Sequence, residues 1–228
     1  METKLSRRLE AVASYVPQGA RLADVGSDHA YLPLFLVEQG RIDVAIAGEV
    51  VQGPYQSALQ NVEQACQSDK ISVRLANGLA AVELDDQVST VTIAGMGGRL
   101  IAEILEAGKD KLGSVERLVL QPNNREDDVR HWLVEHDFQL VAEEILEEND
   151  KIYEILVAEK GNVGLTADQL RFGPYLLEEQ SATFQKKWLK ELDKLTYALE
   201  QVPLERLADR SAISQKIQQI QEVLHVSK

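Results

Sequence analysis

Four short stretches of this sequence combine residue types that can do chemistry at the ends of β-rich runs. The first, Asp24-Val25-Gly26-Ser27-Asp28-His29, closes the apolar run Arg21–Val25, a position at which an open parallel sheet presents its strand ends to ligand. Gly26 allows backbone to approach that ligand closely. The stretch fails as a dinucleotide fingerprint, because G-x-G-x-x-G is absent and Asp28 stands where the second glycine belongs. A carboxylate there opposes a pyrophosphate but tolerates a ligand with positive charge. Asp28 can also cap a helix that begins near Tyr31 with Pro33 in its first turn, and the two roles are compatible.

Glu49 ends the next β-rich run, 25 residues after Asp24, where a carboxylate can accept both hydroxyls of a ribose. Val50 follows it. Asn77-Gly78, after a third run, either offers an amide to an adenine edge or forms an ordinary turn. Ala94-Gly95-Met96-Gly97-Gly98 places three glycines within four residues, more than a plain turn into a helix needs, so close contact between backbone and ligand is expected. Gln121-Pro122-Asn123-Asn124 resembles the Asn-Pro-Pro-aromatic loop with which amino- and ring-nitrogen methyltransferases hold a base; its proline stiffens the turn and its amides can pair with a base edge. No Pro-Cys pair occurs, and the single cysteine, Cys66, lies in a helical stretch away from the strand ends, where it reads as ordinary core. The dispersed His29, His131, His136 and His225 have no ligand spacing for zinc, and no metal is expected.

These stretches need a scaffold, and the hydrophobic pattern supplies one. Leu5, Leu9, Val12 and Val16 form one face of a first helix, with Arg7 and Arg8 turned away from it, and Pro17 and Gly19 end it. Strands are expected at 21–25, 43–50, 71–75, 88–94 and 117–121, with helices at 32–39, 54–67, 98–107 and 126–136. Runs such as VTIAG and RLVLQ are nearly all apolar, as in a parallel sheet covered on both faces. Residues 138–147 and 151–159 are then two strands separated by a turn at 148–150. Five β/α units closed by a hairpin predict an α/β fold, a Rossmann-like class I methyltransferase sheet, whereas a dinucleotide-binding domain would more often continue as a second βαβ half.

After Gly161–Gly164 the pattern becomes helical, broken at Gly173-Pro174 and Pro203. Phe184, Trp188, Leu192, Leu195 and Leu199, and then Ile213, Ile217, Ile220 and Leu224, recur at steps of three and four, which predicts a C-terminal antiparallel helical hairpin zipped as a coiled coil. The expected domains are 1–160 and 161–228. The formal charge of −13 argues against nucleic acid, but all of the excess lies in the first part: residues 1–160 hold 15 basic and 28 acidic side chains, and residues 161–228 hold 9 of each. No charged leader with a short apolar run and no apolar span of about eighteen residues is visible. A cytoplasmic protein without membrane partner is expected.

Taken together, Ser27-Asp28-His29-Ala30-Tyr31-Leu32-Pro33, Ala47-Gly48-Glu49, Ile93 to Gly98 and Leu120-Gln121-Pro122-Asn123 resemble the bacterial tRNA (adenine-22-N1)-methyltransferase family, a likeness that runs through Ile152-Tyr153-Glu154 and Gly173-Pro174-Tyr175-Leu176 into the tail. The resemblance implies methyl transfer from S-adenosylmethionine to N1 of an adenine in tRNA. It implies that Asp24, Gly26, Glu49, Asn77 and the Gly95–Gly98 loop serve the cofactor, with Ser27, Val50, Gly78, Ala94 and Met96 beside them. Asp28 then sits in the catalytic centre, with Gln121 and Asn123 holding the base next to His29 and Pro122. For tRNA docking the expected groups are Arg7 and Arg8, and Lys187, Lys190 and Lys194, which share a helix face beside Lys186; a solvated helix surface is the alternative for each lysine. The protein is expected to be a monomer or weak dimer. Competing readings are a methyltransferase of a small molecule or protein, a non-catalytic adenosyl-binding scaffold and, more distantly, an NAD-dependent oxidoreductase.

Overall fold

The structure, a computed structural model, describes residues 3–225. The chain folds as two compact units, Met1–Glu144 with Tyr153–Gly164, and Ile145–Ile152 with Leu165–Lys228. A break at 160/161 therefore misses one feature: the tip of the β-hairpin packs with the tail.

The first unit is built on strands β1 (Arg21–Val25), β2 (Val44–Glu49), β3 (Ile71–Leu75), β4 (Thr90–Met96), β5 (Arg117–Pro122), β6 (Phe138–Glu148) and β7 (Lys151–Lys160). They form one sheet in the order β3-β2-β1-β4-β5-β7-β6. The first five are parallel, and β7 runs antiparallel to β5. The chain steps from β1 to one side and then returns through β4 on the other, so the sheet has a switch point between β1 and β4, where their C-terminal ends open a crevice. Helices α1 (Arg7–Ser14), α2 (Tyr31–Glu38), α3 (Gln52–Gln64), α4 (Gly98–Ala107) and α5 (Glu126–Glu135) accompany these strands. The core between sheet and helices includes Val25, Ile46, Val91, Ile93, Ile101, Leu118, Leu120 and Leu133, all buried, which is why β4 and β5 read as unbroken apolar runs.

Several boundaries differ from the sequence pattern for local reasons. Helix α1 starts only after Ser6, whose Oγ accepts from Leu9 N at 3.3 Å, so Leu5 and Val16 flank the helix. Helix α3 begins at Gln52 and takes Pro54 into its first turn, where a missing N–H costs no hydrogen bond. Strand β4 extends to Met96, and its register against β5 passes from Ala94↔Gln121 to Met96↔Pro122. Gly95 is therefore an extra residue, a bulge with φ 79°.

The β6–β7 hairpin turns through Asn149 and Asp150 at φ 51° and 62°, the paired left-handed geometry that matches the twist of two flanking strands. Its link to the helices is ionic. Arg130 of α5 is fully buried, donating to Glu143 of β6 at 2.8 Å and Glu154 of β7 at 2.6 Å. Burial alone would lower the guanidinium pKa; Glu154 and Glu143 outweigh it and raise it.

In the second unit, Thr166 and Gln169 cap α6 (Ala167–Phe172) reciprocally, Gly173 at φ 87° breaks the chain, and Pro174 opens α7 (Pro174–Glu179). Helices α8 (Ala182–Gln201) and α9 (Leu207–Leu224) then lie against each other. Phe184, Trp188, Leu192 and Leu195 of the first and Ile220, Val223 and Leu224 of the second share an apolar cluster with Ile145, Ile152, Phe172 and Leu176. Arg210 donates to the carbonyls of Leu199 and Val202, satisfying the end of α8. Among the described residues no helix is long and apolar enough to cross a membrane.

The buried triad sets a stability test. Arg130→Met strands two carboxylates in the core and should cost about 3–5 kcal/mol, whereas adding Glu143→Gln and Glu154→Gln should restore a large part of it. Urea unfolding checks this; an R130M protein within about 1 kcal/mol of wild type would show the triad to be dispensable.

Candidate functional site

The loop after β1 is wound in the wrong hand for L-residues. Gly26, Asp28, His29 and Ala30 have φ of 70°, 46°, 70° and 61°, and the three non-glycine residues each bear roughly 1–2 kcal/mol of strain. Such a run persists only where its surroundings dictate it, and here they do. Gly26 N and Ser27 N both donate to Gly48 O, at 2.9 and 3.1 Å. Glu49 accepts from the backbone N–H groups of Asp28 and His29, and Asn61 of α3 donates to His29 O at 2.9 Å. A side chain at Gly26 would also place its Cβ 2.2 Å from Met96 Cε.

Asp24 anchors this loop from below. It is buried, and its two oxygens accept from Ser27 Oγ at 2.7 Å and Thr92 Oγ1 at 2.6 Å. Burial pushes its pKa up to about 6, with Glu49 and Asp28 adding to the rise against the two hydroxyls. Asp28 itself points outward: its side chain is 79% exposed, 3.4 Å from His29 Nε2, and the His29 ring lies 5.6 Å from that of Tyr31. It does not cap α2. The cap position belongs to Ala30, with no side-chain hydrogen bond, because the left-handed turn carries Asp28 away from the first helical N–H groups.

Glu49 is buried, and burial raises its pKa against the loop N–H groups of His29 and Asp28. Its Oε1 is buried with no partner in the protein. A carboxylate oxygen removed from water without a donor is costly, and a ligand hydroxyl could meet the deficit. The surroundings fit a flat apolar ring beside that hydroxyl: Val50, Val51 and Leu75 are exposed at the same strand ends, and Ala76 N donates to Glu49 O at 2.8 Å, which brings the exposed Asn77 and the turn at Gly78 (φ 57°) alongside.

At β4 and β5 the bulge organises the loops. Gly95 leaves the ladder, and its N–H donates to Gln121 Oε1 at 3.0 Å while its carbonyl accepts from Asn123 Nδ2 at 2.7 Å. Gln121 Nε2 in turn donates to Asn123 Oδ1 at 3.2 Å and to Pro122 O at 2.9 Å. Arg8 of α1 supplies a second donor to Gln121 Oε1, at 2.5 Å, with its guanidinium carbon 5.5 Å from the centre of the Tyr153 ring. Arg8 is thus turned into the structure, not away from it. Gln121 is fully buried and its amide is committed inside the protein, whereas Asn123 is exposed. Gly98 is required by packing: a Cβ there would lie 2.0 Å from Arg125 O.

The remaining expected residues are placed less centrally. Arg7 is exposed on α1. On α8, Lys186 bonds Glu147 at 2.6 Å, Lys187 sits 5.3 Å from the Trp188 ring, and Lys194 lies 3.5 Å from Glu191; Lys190 lowers the pKa of Glu147 behind Lys186. Cys66 is exposed, not core, in a left-handed turn after α3. Asn61 and Thr92 escape the sequence because nothing in their local pattern distinguishes them, and Tyr153, although it lies in a stretch that carries the family likeness, is assigned no role by it.

Comparison with known proteins agrees with this geometry. Residues 22–222 match the family model described as tRNA (adenine(22)-N(1))-methyltransferase. The chain is 44% identical to the Bacillus subtilis tRNA (adenine(22)-N(1))-methyltransferase over 100% of its own length and 97% of the relative's. Among solved structures, a Streptococcus agalactiae protein of the NADB-Rossmann superfamily superposes with a TM-score of 0.96 at 58% identity, covering 98% of this chain and 99% of that one. A Streptococcus pneumoniae protein in complex with S-adenosyl-L-methionine does so with a TM-score of 0.92 at 62% identity, covering 97% and 100%. Sheet order, loop chemistry and full-length identity lead to one assignment: the chain belongs to the tRNA (adenine(22)-N(1))-methyltransferase family.

Proposed function

We propose that this protein methylates N1 of adenine 22 in tRNA with S-adenosylmethionine as methyl donor, in the cytoplasm. The observation that carries the cofactor is Glu49 Oε1, a buried acceptor without a donor, at the strand end where a ribose belongs. Glu49 would hold the ribose hydroxyls, Val50, Leu75 and Asn77 the adenine, and the loops at Gly26 and Gly95–Gly97 the amino-acid end. Asp24, whose oxygens are both held by hydroxyls, positions the Gly26 loop and contributes negative potential for a cationic ligand. Bound S-adenosylmethionine supplies an electrophilic methyl group on a positively charged sulfur.

Adenine N1 has an in-plane lone pair and is already nucleophilic, so the protein's task is alignment. The target base must leave its stack, at about a few kcal/mol, and be held by the Gln121–Asn123 loop with Pro122 stiffening it. Methylation makes the base cationic until N6 loses a proton. Asp28, an exposed carboxylate on a rigid turn beside His29, stabilises that charge and takes the proton. Arg7 and the α8 lysines Lys187, Lys190 and Lys194, beside Lys186, bind the tRNA backbone.

Three outcomes test this. Labelled S-adenosylmethionine with unmodified tRNA should give a new reverse-transcription stop at adenine 22, and Asp28→Asn should lower turnover about a hundredfold with cofactor affinity nearly intact; full activity in D28N sinks the assignment of Asp28. A cationic cofactor favours ionised Asp24, so with a free pKa near 6 its affinity should hold above that pH and fall as pH drops below it, up to about tenfold per unit; calorimetry at pH 5 and 7.5 reads this, and Asp24→Asn should flatten the response. Lys187→Glu with Lys190→Glu should weaken tRNA binding and reduce the salt slope by about 1 for each phosphate that is no longer neutralised; unchanged affinity and slope would remove the tail from the docking surface.

A further inference from the structure

The amides around the Gly95 bulge form a chain in which each orientation dictates the next. Gly95 N–H and the Arg8 guanidinium are donors only, so Gln121 must turn Oε1 toward both. Its NH₂ then faces Asn123, which must present Oδ1, and that leaves Asn123 Nδ2 for the carbonyl of Gly95. A flipped Gln121 would set an NH₂ against two donors, one of them charged. With these bonds made, the exposed Asn123 amide keeps one lone pair on Oδ1 and one hydrogen on Nδ2. With the free hydrogen on the Oδ1 side of the amide and the free lone pair beside it, that pair of groups matches the N6 and N7 edge of adenine, the bidentate pairing asparagine makes with this base. It leaves N1 uncovered, and it mismatches guanine, whose O6 and N7 both accept.

We propose that Asn123 reads the N6/N7 edge of the target adenine, and that Arg8 and Gln121 are positioning residues that hold its amide the right way round. The inference rests on methyl transfer to adenine N1 and adds how the base is recognised. Arg8, expected from sequence to meet the tRNA backbone, acts instead through Gln121. The two hydrogens of N6 allow both assignments to stand: Asn123 accepts the one beside N7, and the one beside N1 faces Asp28.

The test replaces adenine 22 of the tRNA by 7-deazaadenine, which keeps N1 and N6 and removes the N7 acceptor. The change alters the intrinsic reactivity of N1 equally for every variant, so the quantity read is each enzyme's kcat/KM on adenine relative to 7-deazaadenine. Wild type should prefer adenine by about five- to tenfold, the loss of one net hydrogen bond. Asn123→Ala should lose that preference, Arg8→Met, which has no donor for Gln121, should lose part of it because Gly95 N–H still orients the amide, and Arg8→Lys, which retains a donor, should keep most of it. Wild type showing no preference between the two tRNAs, or Asn123→Ala retaining all of it, overturns the reading by Asn123, and Arg8→Met retaining all of it overturns the positioning role of Arg8. Absence of methyl transfer by wild type to the adenine tRNA is a separate result, visible before any variant is compared, and would overturn the function together with this inference.

Discussion

The open end of the sheet depends on how two backbone groups of one residue are satisfied. Gly95 drops out of the β4–β5 ladder at an exposed position, and its freed N–H and carbonyl must find partners other than the neighbouring strand. Gln121 and Asn123 take one each, which fixes both side chains and, through them, the path of the loop after β5. The neighbouring Gly98 is held so closely against the Asn124–Arg125 backbone that no side chain fits. A local defect in the ladder thus becomes a rigid platform. The Arg8 hydrogen bond extends it to α1, an element remote in sequence.

The loop after β1 is rigid for a related reason. Three consecutive left-handed residues are unstable in isolation, yet the N–H groups of Gly26, Ser27, Asp28 and His29 and the carbonyl of His29 are answered by β2 or α3, and Glu49 does part of this work with one oxygen while leaving the other unpartnered. The carboxylate therefore has two functions that reinforce each other. By holding Asp28 and His29 it keeps the turn in shape, and its Oε1 stays an open acceptor. Asp24 repeats the pattern one layer lower, where two hydroxyls hold a carboxylate that burial makes reluctant to ionise.

Electrostatics reconcile an acidic chain with a polyanionic substrate. Some of the charge in the first unit is paired: Glu143 and Glu154 answer Arg130, Asp86 answers Arg74, and Glu159 answers Arg117. Each ion pair removes positive charge along with negative, so the excess stays on the other carboxylates of residues 1–160, and the tail, with 9 basic and 9 acidic side chains, meets a polyanion with less repulsion.

Periodicity and composition were enough for the architecture: five parallel β/α units, a closing hairpin and a helical tail follow from apolar runs, helical spacing and turn residues, because those features are local and repeat with the geometry of the element. They also put Asp28, Glu49, Gly95 and Asn123 at or just past the ends of strands, where the structure has all four. Tertiary structure alone decided what each residue does there. Nothing near Arg8 in sequence announces a glutamine 113 positions away, and nothing in a run of three glycines separates the one that bulges from the one that packs against backbone. The side-chain orientation of Gln121, the unpartnered oxygen of Glu49 and the hand of the Asp28 turn are set by donors and acceptors that only folding brings together, and a hydrogen bond leaves no periodic trace along a chain.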